Sequence, residues 1–226
     1  MKKVAKDPPP ELCQAIIDLF TQGRFREALV QANELLIFFP NSAFLYNTIG
    51  ACNSDLSNFE AAIAGFKKAL KINPNYDSAV FCMGVAFQSQ GNLNDAIDSY
   101  KRVLKLKPNF AEAHSNLGVA LRDNGELDAA IDHYYRAIKI NPNYVDARNN
   151  LGVALKDKGE LDAAIDSHLF AVKLNPNHAE TYYNLGIAQS DKADPDAAIG
   201  SYKKAVKISP NHVDAQHNLS LELLKV

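Results

Sequence analysis

The sequence predicts an all-α solenoid of stacked helical pairs, and three observations carry that prediction. Six of the ten prolines, Pro40, Pro74, Pro108, Pro142, Pro176 and Pro210, recur every 34 residues, and an asparagine follows each: Asn41, Asn75, Asn109, Asn143, Asn177 and Asn211. A fixed period of this length marks tandem repeats, so chain length is a poor guide to domain count. Within a period, small and apolar residues return at helical spacing: Leu117, Gly118 and Leu121, then Ala130, Ile131, Tyr134, Ala137 and Ile138. Gly125 breaks that run once, and Asn-Pro-Asn ends it.

With each proline at position 32 of its unit, a tail at 1–8 precedes six units, 9–42, 43–76, 77–110, 111–144, 145–178 and 179–212. Residues 213–226 then begin another first helix without its partner. Each unit reads as a helix, a Gly-centred turn, a second helix and a stop. Proline forbids helix continuation, and the asparagine after it tolerates the turn and can cap the next helix. Position 8 is Gly50, Gly84, Gly118, Gly152 and Gly186, and position 20 is Ala28, Ala62, Ala96, Ala130, Ala164 and Ala198. Small residues at facing points let paired helices approach closely. The rings at position 24 (Phe66, Tyr100, Tyr134, Tyr202) are expected to fill the space between pairs, with His168 standing there in the fifth unit. The pattern frays in the first unit, where Ile16 and Ala32 hold positions 8 and 24.

This combination of small, large, Ala, aromatic, Ala and Pro at positions 8, 11, 20, 24, 27 and 32 resembles the tetratricopeptide repeat. The resemblance covers nearly the whole chain, and it implies that the helix begun at 213–226 caps the last repeat. It implies a right-handed superhelix with first helices lining the concave side and second helices the convex side, used to bind other proteins.

Composition excludes several other classes. Net charge is −2, so no basic excess favours a phosphate backbone, and a nucleic-acid partner is not expected. No apolar run reaches the roughly 20 residues of a membrane span. The start, MKKVAKDPPPEL, meets Asp7 and three prolines where a signal peptide needs its apolar stretch. A cytoplasmic location is expected. Cys13, Cys52 and Cys82 fit neither a disulfide framework nor a zinc site. The six histidines never form the spaced helical pair of a metalloprotease, and the glycines never cluster into a phosphate loop. No catalytic residue, metal or cofactor is expected. Acids near the start of second helices (Asp95, Asp128, Asp162) and lysines near their ends (Lys71, Lys105, Lys139, Lys173, Lys207) suit the helix dipole.

Position 6 of four successive first helices is Asn116, Asn150, Asn184 and Asn218. Asn is a mediocre helix former, and its amide both donates and accepts, so it can pair with a peptide group. Packed helices lie about 8–10 Å apart and an extended chain advances about 3.3 Å per residue. One Asn per unit would therefore meet roughly every third residue of an extended ligand. This row resembles the asparagine ladder of the tetratricopeptide superhelix in O-linked N-acetylglucosamine transferases. The alternative is plain repeat copying. Acids at position 2 (Glu112, Asp146, Glu180, Asp214) and position 13 (Asp123, Asp157, Asp191) would form a rim favouring neutral or basic segments. In the first three units Phe20, Phe44 and Phe81, with Cys13 and Cys82, stand where later units are polar. They could anchor a ligand side chain, or simply be buried against the Pro8-Pro9-Pro10 entry.

The clamp by which related repeats hold heat-shock chaperone tails is not expected, because only Asn150 matches it. Ser115 and Val119 replace Lys and Asn, while Glu180 and Asn184 replace Lys and Arg. The expected function is thus a non-catalytic scaffold binding an extended peptide segment. Two alternatives stay open, both motivated by Leu221, Leu223, Leu224 and Val226, which make the last helix apolar on more than one face. One is the substrate-recruiting arm of a larger glycosyltransferase-like enzyme. The other is self-association through that helix.

Overall fold

The computed structural model describes residues 7–225, which contain thirteen α-helices and no strand. Val226, one of the apolar residues of the last helix, lies outside the described residues. The chain divides into two compact units, residues 1–108 and 109–226.

The first unit holds α1 (Pro10–Thr21), α2 (Phe25–Phe38), α3 (Ala43–Asp55), α4 (Phe59–Ile72), α5 (Asp77–Ser89) and α6 (Leu93–Leu106). Its N-terminal core is Ile16, Ala28, Ala32, Leu45 and Cys52, against which Leu19, Phe20, Phe25 and Phe44 pack. Asp7 accepts a 2.5 Å hydrogen bond from Ser42 Oγ, which itself accepts from the Leu45 amide at the start of α3. The second unit holds α7 (Ala111–Asp123), α8 (Leu127–Ile140), α9 (Val145–Asp157), α10 (Leu161–Leu174), α11 (Ala179–Asp191), α12 (Pro195–Ile208) and α13 (Val213–Leu223). Odd-numbered helices pack on the following even-numbered one, and α9 also touches both α7 and α11.

Paired helices close on position 8. A Cβ added to Gly118 would lie 2.6 Å from Tyr134 Cε1, and one on Gly152 would lie 2.6 Å from both His168 Cε1 and Nε2. The position-24 ring therefore sits inside its own helical pair, against the glycine, rather than between pairs as the sequence suggested. Only a hydrogen leaves room for it.

The capping expectation also needs correction. The N-cap is the residue after each asparagine: Ser42, Tyr76, Phe110, Tyr144, His178 and His212. The asparagine instead lies inside the turn. In three turns its amide N–H is held by the Asn two residues earlier: Asn75 by Asn73, Asn143 by Asn141 and Asn177 by Asn175. The acceptor side chain belongs to the residue before the proline, the later asparagine gives only its backbone N–H, and the helix starts one residue further on.

The turn inside each pair needs a left-handed residue. Gly23, Gly91, Gly125 and Gly159 supply it, with φ between 73° and 86°, but Ser57 (φ 61°) and Ala193 (φ 62°) do so with a side chain. A left-handed L-residue costs about 1–2 kcal/mol, partly offset by glycine's larger unfolded-state entropy. Replacing Ala193 by Gly should therefore raise stability by roughly 0.5–1 kcal/mol in urea titration. A loss would mean the left-handed turn is not strained.

Candidate peptide-binding site

The four ladder asparagines fall on α7, α9, α11 and α13, all within the second unit. Each is half-buried. The structure gives them unequal roles. Asn184 Nδ2 donates 3.1 Å to Asn149 Oδ1 on α9, tying one repeat to the next. Asn218 sits at the Tyr183 and Tyr202 hydroxyls; burial pushes Tyr202 up to about 12, and the Asn218 amide pulls the other way. Asn116 and Asn150 make no side-chain hydrogen bond among the described residues, so their amides are available.

The position-2 acids are all exposed. Two of them face histidines on the same edge: Asp146 Oδ1 lies 3.7 Å from His178 Nε2, and Glu180 Oε2 lies 3.3 Å from His212 Nε2. Those histidines also cap helices through Nδ1, which accepts from the Thr181 and Ala215 amides. Glu112 and Asp214 make no ion pair among the described residues. The second-helix acids do more than meet a dipole. Lys158 Nζ meets both Asp128 and Glu160 at 2.9 Å, and Lys192 meets Asp162; the Lys158–Asp128 and Lys192–Asp162 bonds join the turn of one repeat to the second helix of the repeat before.

The phenylalanines set out as anchors lie in the first unit and are partly committed to packing. Phe20 packs edge-on against Phe25 at 5.1 Å, and Phe44 belongs to the same core cluster. Phe81 tilts against Tyr100 at 5.9 Å. A largely apolar pocket does exist in the second unit, at the leucines the sequence marked only as a surface for self-association. Ile187, Tyr202, Asn218, Leu221 and Leu224 line about 420 Å³ between α11, α12 and α13, with Asp191 at its edge. Leu221 and Leu224 are 46% and 84% exposed, while Glu222 beside them is buried, accepting from Ser190 Oγ and from Lys225 Nζ at 2.7 Å. The signal was the leucine run itself, read as an open end rather than as the wall of a pocket.

Among the described residues no three His, Cys, Asp or Glu side chains gather as a metal site. The three cysteines are free, with burial pushing Cys52 up to about 11. Among the described residues no helix is long and apolar enough to cross a membrane.

The family described as Tetratricopeptide repeat matches residues 83–145, 133–166 and 179–212, and TPR repeat matches 55–91 and 154–192. The crystal structure of MamA is 33% identical, with a TM-score of 0.67 over 76% of this chain and 93% of its own. The chain is a tetratricopeptide-repeat protein. Two further tetratricopeptide-like structures share the fold. YrrB, described as having an unusual peptide-binding site, is 24% identical with a TM-score of 0.66 over 83% of this chain and 96% of its own. The pilF protein of Pseudomonas aeruginosa reaches a TM-score of 0.80 at 15% identity, over 93% of this chain and 96% of its own. No curated protein sequence matches the chain. Tetratricopeptide repeats bind protein partners and generally serve as non-catalytic scaffolds, offering extended surfaces built from repeated units.

Proposed function

We propose that this tetratricopeptide protein is a non-catalytic scaffold that binds an extended peptide segment of a partner along α7, α9 and α11. The observation that carries this reading is the pair Asn116 and Asn150, two half-buried amides at one repeat position, each without a side-chain hydrogen bond among the described residues. Amides spaced by one helix packing distance suit the backbone of a strand whatever its sequence. The proposed anchor is the Leu221–Leu224 pocket, because amides alone supply too little affinity. Two hydrogen bonds at about 0.5–1.5 kcal/mol fall well short of the roughly 8 kcal/mol of micromolar binding. Exposed Glu112 and Asp214 would favour a neutral or basic segment. The described peptide-binding site of YrrB supports this class of ligand.

The test uses peptides selected against the full chain from a random displayed library. Asn116→Ala and Asn150→Ala should each weaken the selected peptide up to about tenfold, with the thermal midpoint unchanged. N-methylating the peptide backbone should weaken it more than scrambling side chains away from the anchor. Asn184→Ala should behave differently and lower stability by about 1–3 kcal/mol, because Asn149 is buried and would lose its donor. Unchanged affinity in Asn116→Ala/Asn150→Ala would reduce the row to copied sequence.

A further inference from the structure

Where α4 ends, the first unit holds an open pocket of about 570 Å³ lined by Pro40, Asn41, Tyr46, Lys68, Lys71 and Ile72. The Lys68 ammonium lies 5.3 Å from the centre of the Tyr46 ring. Lys68 and Lys71 are exposed, and neither forms an ion pair among the described residues. Two cations thus flank a floor of aromatic ring, proline and isoleucine with no acid to answer them.

Two other repeats close this place with their own side chains. One repeat later, Arg102 stands where Lys68 does and donates at 2.5 Å to the Pro74 carbonyl, the equivalent of Pro40. Three repeats later, Arg148 replaces Tyr46, lies 3.7 Å from the centre of the Phe170 ring that replaces Lys68, and donates at 3.3 Å to the Pro142 carbonyl. The second repeat does neither, so its pocket stays open with its charges outward. The same residue set recurs in sequence as Pro176, Asn177, Tyr182, Lys204, Lys207 and Ile208.

We propose that the Tyr46–Lys68–Lys71 pocket docks an acidic peptide segment of a protein partner. An Asp or Glu carboxylate sits between the two ammonium groups, and a neighbouring apolar side chain lies over Tyr46 and Ile72 against Pro40. The volume suits one or two side chains, and the unmatched positive charge selects the sign of the ligand. This surface is independent of the asparagine row and of opposite preference, since the row is flanked by acids.

The test titrates the full-length chain, labelled at isoleucine methyls and tyrosine rings, with a peptide alternating glutamate and leucine. The glutamate peptide should shift the Ile72 and Tyr46 resonances, and its glutamine twin should not. Lys68→Ala and Lys71→Ala should each weaken binding by about two- to fivefold in low salt, the range of exposed charge pairs. The Lys68→Glu/Lys71→Glu chain should lose binding while its circular dichroism is unchanged, and Lys173→Ala, at an exposed lysine near the end of α10, should bind as the parent does. Silence at Ile72 and Tyr46, equal binding of the glutamine twin, or shifts with inorganic phosphate but not with the glutamate peptide would each overturn the assignment.

Discussion

Acidification should destabilise this protein through His168, and a single substitution should remove that sensitivity. His168 is fully buried, and both ring nitrogens lack a hydrogen-bond partner among the described residues. Burial, with a smaller push from Lys156, holds it down to about 4 from an ordinary value of 6.5. Between those values the unfolded chain carries a proton on this ring and the folded chain does not. Stability is therefore full above pH 6.5 and falls as pH drops towards 4, by at most about 3 kcal/mol from this one group. His168→Phe copies the Phe66 found at the same repeat position, also fully buried, and leaves no orphan nitrogens. The variant should be more stable at pH 7, and its urea midpoint should fall less between pH 7 and 4.5 than the parent's. Parallel pH profiles would show that His168 is protonated or solvated in the folded chain.

Filling the glycine opposite the same ring should be comparably damaging. Gly152→Leu drives several carbons into the space that His168 occupies, where even one Cβ would come within 2.6 Å. Overpacking of this kind costs about 1–3 kcal/mol, whereas Lys173→Ala on an exposed helix end should change stability by less than about 0.5 kcal/mol. The two sites should also couple. In Gly152→Leu/His168→Ala the leucine occupies the space of the lost ring, so the double variant should be more stable than the sum of its single effects predicts. Additive losses would place the clash elsewhere.

The helical pairs were legible because period is a one-dimensional signal: Pro, Gly and Ala recur at fixed positions, and each has a backbone or packing reason to be there. Their detailed roles were less so. The position-24 ring was correctly read as large and buried, but spacing alone does not say whether it fills the gap within a pair or between pairs. The candidate site was harder still. Nothing in the identity of Asn184 distinguishes it from Asn150, and its partner Asn149 lies 35 residues away on a neighbouring helix. A repeat pattern reports what each unit has in common. Whether an amide is spent on a neighbour or left for a ligand depends on the residues in which the units differ, such as Tyr183 and Tyr202 beside Asn218.

The Lys158–Asp128 and Lys192–Asp162 bridges have a bearing on how such a chain can change length. Both join residues 30 positions apart, and each bond spans a junction between units rather than a single unit. An in-frame loss of residues 145–178 would set Lys192 at the same sequence distance from Asp128 that Lys158 has now. The ionic contact across the new junction would be regenerated from the two survivors, one from each side. Genetic gain or loss of a whole 34-residue block can thus leave this junction chemistry intact, while an insertion of any other length would strand both partners.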